Sequence, residues 1–419
     1  MRIGMITEWF PPEPAFIPGG LAPELAARGH DVRVLTGFPA YPLGRTYPGH
    51  RQRWRHVESG AVGAGTLTVR RVPAYPSHDL SAARRSLTYL SFAATSAIAA
   101  RSFLRDVDVV YVHHPPATAY AAALALGRVP TVVHVQDMWP ESVTASGMTP
   151  GGRAGAALYR TLDATMRGIY RRADQLIAIS PTMADVLVRR GADPGRTRVV
   201  LNWAEEGNLR PVHLTAAERA ELVAPEKCTV LFAGNIGEFQ RVETAIRAAA
   251  ATPGVDLVFV GSGTREAAAR AYAAQLGATN VRFLGRRPVQ EMARISAAAD
   301  FHLVILRDLP VFRGMIPSKV QAALCCGAPL IVSVAGDCAE LVTTARLGFA
   351  CPPEDWQALA AAFAAAAATP AAERAGMVER ALRTYAERMS LRSGADQIED
   401  VLTKAVGPRP RTRRERSRP

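Results

Sequence analysis

Lysine is almost missing from this chain of 419 residues: among its 50 basic side chains only Lys227, Lys319 and Lys404 are not arginine. Cysteine is scarce as well. The five present, Cys228, Cys325, Cys326, Cys338 and Cys351, are odd in number and lack metal-ligand spacing, which excludes a disulfide framework and a zinc site and suits reduced core thiols. The uncharged stretches Ser86 to Ala100 and Trp356 to Ala372 are rich in small residues and fall short of a bilayer span. Met1 and Arg2 lead straight into the strand-like IGMIT, with no secretory segment. The expectation is a cytoplasmic protein, or one peripheral at the inner face of the cell membrane. A formal charge of +13 would suit nucleic acid, but zinc spacing, a helix-turn-helix pattern and an aromatic platform are all lacking, so no nucleic-acid partner is expected. An anionic membrane surface or a phosphorylated substrate accounts for the same charge. Part of it sits in the tail from Gly407, where arginines crowd among prolines as in a disordered segment. The GxGxxG fingerprint is absent too, and with it the key loop of a nicotinamide-binding protein.

What is present is a regular alternation of short β-branched runs with Ala- and Leu-rich helical stretches, the pattern of parallel sheets buried on both faces. In the first half the strands are IGMIT near Ile3, VRVLT at Val32, VVYV at Val109, TVVHV at Thr131, LIAIS at Leu176 and VVLN at Val199. A second series starts at Thr229 with TVLFAGN and runs through LVFVG, VRFLG, FHLVIL and PLIVSV. Ala204 to Cys228, acidic and without strong periodicity, reads as the linker. The spacing predicts helices over Trp356 to Ala368, Ala372 to Met389 and Arg392 to Val406. The domain reading is therefore α/β, with two doubly wound parallel sheets: 1–205, 206–390, a helix over 391–406 crossing back to the first half, and a basic disordered tail over 407–419. Ligands of such sheets lie beyond the carboxyl ends of the strands, so two facing halves would make a cleft.

One segment carries more chemistry than the rest. From Pro317 to Val332 the chain reads PSKVQAALCCGAPLIV, with Pro317 and Ser318 as first-turn residues, apolar spacing at Val320, Ala323 and Leu324, and Gly327 just past the end. The opening of that helix points backbone N–H groups outward, and Lys319 beside it adds a cation, which together attract a diphosphate. His113 and His114 end the strand VVYV, at the rim where chemistry belongs. Asp137 and Glu141, in QDMWPE, either orient a hydroxyl substrate or cap the next helix. Asp106 and Asp108 form a DxD, but it precedes a strand and reads as solvated charge. Arg84, Arg85, Arg101 and Arg105 flank the apolar TYLSFAATSAIAA, which is either an interfacial helix with snorkelling arginines or a buried crossover helix.

The ordered series of these motifs resembles the family 4 glycosyltransferases of the two-domain GT-B fold, and within them the branch that builds bacterial lipid-linked polysaccharide repeat units. The matching pieces are PGGLAPELAARGHDVRVLTGFPAYP from Pro18, VDVVYVHHPPAT from Val107 and VHVQDMWPES from Val133, then FAGNIGEFQRVETAI from Phe232, VFVGSG from Val258, NVRFLGRRP from Asn280 and IPSKVQAALCCGAPLIV from Ile316. The resemblance implies a retaining hexosyltransferase with no metal or other cofactor. Its donor would be a nucleoside-diphosphate sugar, a UDP-sugar first, and its acceptor a hydroxyl, lipid-linked or part of a cell-envelope precursor. On this resemblance the donor diphosphate lies near Gly19 and Gly20, which are read in the first strand-to-helix loop, and near Gly234, Asn235 and Gly237 in the equivalent loop of the second half. Arg241, Arg286, Ser318 and Lys319 complete the donor side. His113 hydrogen-bonds the donor sugar, Asp137 acts with it, and His114, Glu141, Arg84 and Arg85 belong to the acceptor.

Two departures stand against the family pattern. The glutamate usual three residues after the lysine position is Ala322 here, and the second acidic residue of the motif falls on Gly314, which leaves the nucleotide ribose without an assigned partner. Asp337 and Glu340 could approach from the following loop. The departure motivates a second reading, a silent GT-B protein that binds or activates a partner transferase. A third keeps the fold and changes the reaction to nucleotide-sugar epimerisation.

Overall fold

In the computed structural model, residues 1–77, 82–114, 117–145, 152–224 and 226–407 are described. The arginine-rich tail beyond Gly407 lies outside them. The described residues form two compact units, one within 1–179, 183–200 and 395–407, the other within 180–182 and 201–394.

The first unit is built on β1 (Arg2–Ile6), β2 (Asp31–Gly37), β3 (His56–Val62), β4 (Gly65–Val72), β5 (Val109–His114), β6 (Thr131–Val135), β7 (Gln175–Ala178) and β8 (Thr197–Val199). Their order is β3-β4-β2-β1-β5-β6-β7-β8, and every pairing is parallel except the β3–β4 hairpin. The hairpin is an addition to the expected strands. β3 reads HVESGAV and is exposed over most of its length, so it has no apolar alternation to betray it. It closes through Gly63–Ala64, with Gly63 at φ +57°, where a side chain would strain the turn.

The second unit carries β9 (Cys228–Ala233), β10 (Val255–Val260), β11 (Val281–Phe283), β12 (Phe301–Ile305), β13 (Leu330–Ser333) and β14 (Gly348–Cys351), all parallel, in the order β11-β10-β9-β12-β13-β14. That is the doubly wound order of a dinucleotide-type sheet, with its direction reversing between β9 and β12. The first unit reverses in the same way between β1 and β5. The strands β10, β12 and β13 are buried throughout because helices cover both faces, which is why they read as continuous apolar runs.

The last helices, Trp356–Ala368, Ala371–Arg388 and Leu391–Val406, fall within a residue of the periodicity. The final one changes company along its length. From Ala395 it packs with the first unit: Arg28 pairs with Asp396 at 2.6 Å and Glu399 at 3.0 Å, and His30 meets Glu399 at 2.9 Å. No described helix is long and apolar enough to cross a membrane.

Candidate active site

At the carboxyl edge of the second sheet, β9 ends in Gly234, and the turn that follows is made of backbone packed on backbone. Gly234 and Gly261 sit at φ +131° and +134°, and a Cβ on Gly261 would stand 2.0 Å from the Gly234 carbonyl oxygen. Gly263 is as tightly placed, 2.2 Å from the oxygen of Ile236. Only glycine fits such positions. Asn235 is exposed at the tip, and a Cβ on Gly237 would meet its side chain at 2.6 Å. The helix Val242–Ala250 opens later than the motif suggests, after the tight turn Glu238–Gln240 and a left-handed Arg241 at φ +45°. Arg241 is engaged by Glu354 at 2.8 Å, and Arg286 donates to Ser262 Oγ at 2.6 Å.

Lys319 reaches this turn from the helix Ser318–Cys325, whose opening residue Ser318 is exposed. Its Nζ stands 3.9 Å above the centre of the buried Phe232 ring, and a Cβ on Gly234 would lie 2.8 Å from its Cε. No carboxylate among the described residues lies within ion-pair distance. Burial in these surroundings pulls the ammonium down to about 8. The result is a cation held by a ring face and left without a counter-ion, close to the N–H groups of a helix opening, which is an arrangement suited to an incoming anion.

Of the two acidic residues considered for the ribose, Asp337 is already engaged. Asp337 is buried at the start of the helix Asp337–Thr344, and its two oxygens accept from the Thr182 N–H at 2.9 Å and hydroxyl at 2.7 Å. Glu340 is exposed on the same helix, and Gln321 turns inward to Ile316 while Ala322 is half-buried.

In the first unit, His113 ends β5 and lies opposite His134 of β6, with ring centres 6.1 Å apart. Burial drives its imidazole down to about 4, so the ring is neutral near pH 7; its buried Nε2 has no hydrogen-bond partner among the described residues. His134, not singled out in the sequence, is fixed between Tyr111 Oη at 2.6 Å and Gln136 Nε2 at 2.9 Å. His114, expected beside the acceptor, points the other way because successive strand residues alternate faces. It is fully buried and packs against Trp139.

The carboxylate of Glu141 is taken by Arg190 and by the Tyr159 hydroxyl, while Arg190 also donates to the Trp139 carbonyl at 2.9 Å. Asp137 is half-buried and accepts from the Met138 N–H at 2.8 Å; burial raises its carboxyl. Gly19 and Gly20 are not in the loop after β1 but within the helix Phe16–Ala27. The physical reason is close packing: a Cβ on Gly19 would come 2.7 Å from Pro11, so the loop folds back onto the helix start. Asp106 and Asp108 are occupied by arginines, Asp106 by Arg33 at 2.6 Å and Arg2 at 3.2 Å, Asp108 by Arg2 at 3.4 Å.

Sequence reading missed two carboxyls that follow β1. Glu13 ties the loop down, accepting from the N–H groups of Phe10, Ala40 and Tyr41. Glu8 is 5% exposed, and no described residue hydrogen-bonds its carboxyl. Burial first, then the charge of Glu13, pushes it up to about 8.

Two α/β units with mainly parallel sheets, the second with a glycine-built turn at its carboxyl edge, have the fold of the GT-B glycosyltransferases. Residues 18–203 match the family model of a glycosyl transferase 4-like domain, and residues 215–384 that of glycosyl transferases group 1. The chain belongs to the family 4 glycosyltransferases and is a glycosyltransferase. It is 28% identical, over 75% of its length and 78% of the relative's, to a putative colanic acid biosynthesis glycosyl transferase WcaI of Escherichia coli, and 25% identical to a probable glycosyltransferase WbjE of Pseudomonas aeruginosa, over 65% and 69%. Among solved structures, sucrose-phosphate synthase from Thermosynechococcus elongatus superposes with a TM-score of 0.72 at 19% identity, covering 96% of this chain and 98% of that one. Anabaena HepE in complex with UDP and glucose gives 0.65 at 18%, covering 96% and 99%.

Proposed function

We propose that the protein transfers a sugar from a nucleoside-diphosphate sugar, a UDP-sugar first, to a hydroxyl on a lipid-linked or cell-envelope glycan precursor, with retention of configuration and without a metal. The observation that carries this is Lys319, an ammonium with no counter-ion among the described residues, held against the Gly234 turn at a helix opening. A leaving diphosphate needs its growing charge stabilised, and here protein cations and N–H dipoles take that part. Arg286 and Arg241 stand at the ends of the same sheet as further cations, and Gly234, Asn235, Gly237 and Ser318 supply close-approach backbone. The neutral His113, with its free Nε2, hydrogen-bonds the donor sugar, and Asp137 orients the acceptor hydroxyl. In a same-face reaction the departing phosphate oxygen takes the acceptor proton. HepE is described with bound UDP-glucose, which supports a uridine donor. Calorimetry with a panel of nucleoside diphosphates tests the reading: UDP should bind, and absence of binding by every member would favour the silent-partner alternative.

A membrane-facing acceptor is supported by the helix Ala82–Phe103. One face, with Phe92, Ser96, Ala99 and Ala100, is buried, while Leu87, Leu90 and Ile98 are exposed at helical spacing, with the exposed Arg84 before them and Arg101 and Arg105 after. The segment is thus a crossover helix whose outer stripe suits an anionic interface. Leu90→Glu combined with Arg101→Glu should reduce co-sedimentation with phosphatidylglycerol-containing vesicles; sedimentation equal to that of the unchanged protein would remove the membrane assignment.

A further inference from the structure

A pocket of about 210 Å³ in the first unit has no part in the site described above. It opens at the carboxyl ends of β1, β2 and β4, beside the point where the sheet order reverses, which is where ligands of such sheets bind. Glu8, Trp9 and Tyr41 line it together with Tyr89 and Arg85. Trp9 and Tyr41 stack with ring centres 5.0 Å apart and make an aromatic wall.

Glu8 is the unusual member. It is held in place by its backbone, whose carbonyl accepts from the Gly37 N–H and the Thr36 hydroxyl, while its carboxyl is almost wholly buried and unpartnered. A buried carboxyl left without a hydrogen bond costs stability, and a group kept at such a cost at a pocket wall points to a ligand that satisfies it. The chemistry of that ligand is narrow. Among the described residues a small cation finds no second free carboxylate, because both oxygens of Glu13 are already occupied by backbone N–H groups, and Arg85 shares the wall. An anion meets the two carboxyls. A neutral polyol with hydroxyls that both donate and accept matches Glu8, and the apolar face of a sugar ring matches the aromatic wall. The volume is below the roughly 300–1,000 Å³ of clefts for drug-sized ligands, which suits one ring.

We propose that this pocket is a subsite for a single neutral sugar ring of the acceptor, with Glu8 hydrogen-bonding its hydroxyls and Trp9 and Tyr41 forming the wall against which it lies. The assignment rests on the glycosyltransferase reading of the chain and gives its acceptor a chemical class. Arg85 at the wall then faces whatever group the ring is attached to.

The test uses the full chain and simple probes: methyl glycosides of the neutral hexoses and N-acetylhexosamines, observed by saturation-transfer NMR. At least one glycoside should receive saturation on its ring protons from the unaltered protein, and UDP-glucose should leave that signal in place. In Glu8→Leu and in Trp9→Ala the affinity should fall at least tenfold, the loss of a buried hydrogen bond or stacking face, while Glu8→Gln, which still donates and accepts, stays close to the original. Circular dichroism establishes that each variant is folded. No binding by any glycoside, undiminished binding in folded Glu8→Leu, or displacement by UDP-glucose, which would make the pocket the donor sugar's, each overturns the proposal. Loss of nucleotide binding in calorimetry would instead strike the donor reading and leave the glycoside result standing.

Discussion

Lys319→Ala is expected to weaken UDP binding at least tenfold and to lower turnover by a similar factor, because a charge-assisted contact to phosphate is worth about 1.5–3 kcal/mol. The unaltered protein should show the same lysine in its pH dependence. With the free ammonium at about 8, the group is charged at pH 7 and binding needs no proton; above pH 8 the nucleotide must recruit one, so affinity should fall by about tenfold per unit. In Lys319→Ala that slope should vanish. No described carboxylate lies within ion-pair distance of the ammonium, whose neighbours are the Phe232 ring and the Gly234 backbone; Glu8, which titrates in the same range, belongs to the first unit and its contribution stays in Lys319→Ala, so the difference between the two proteins reads the lysine. Gly234→Ala is a second route to the same end, because its Cβ would stand 2.8 Å from Lys319 Cε in a backbone conformation that disfavours side chains. His113→Ala should behave differently, lowering turnover at least tenfold while UDP affinity holds, as expected of a group whose hydrogen bond goes to the sugar. Calorimetry at several pH values, with single-turnover rates, separates the two; UDP affinity unchanged in Lys319→Ala would end the phosphate assignment.

The second unit was readable because its signals are local. Continuous apolar strands, a lysine in a chain of arginines, and Gly327 at φ +75° closing the Lys319 helix all lie within short windows of sequence. What could not be read depends on contacts between distant segments. Gly19 looked like a loop residue because nothing nearby shows that Pro11 folds back onto it. The β3–β4 hairpin hides because an exposed edge needs no apolar face. Glu141 offered two roles until Arg190, far along the chain, was seen on its carboxylate. Asp337 looked available until Thr182 took both its oxygens. Glu8 is the plainest case: a carboxyl one residue past the first strand is ordinary in sequence, and only the packing of the loop tied by Glu13 makes it buried and unpaired.

That burial has a thermodynamic consequence independent of any ligand. Glu8→Gln is expected to stabilise the protein by about 3 kcal/mol at pH 7 and to leave it nearly unchanged at pH 4.5. The sign follows from proton counting. The folded state holds the Glu8 proton up to about pH 8, whereas the unfolded chain releases it near 4.5, so between these values the native state binds more protons and its stability falls as pH rises. Below pH 4.5 both states are protonated and the penalty disappears; above pH 8 both are ionised and it no longer grows. Glutamine keeps the shape and removes the ionisation. Burial and the neighbouring charge of Glu13 both act in the raising direction. Denaturant unfolding of both proteins at several pH values, taken as a difference so that all other titrations cancel, measures the effect. A difference independent of pH between 4.5 and 8 would mean that Glu8 is ionised in the folded protein, and the polyol reading of its pocket would then lose the donor hydrogen on which it depends.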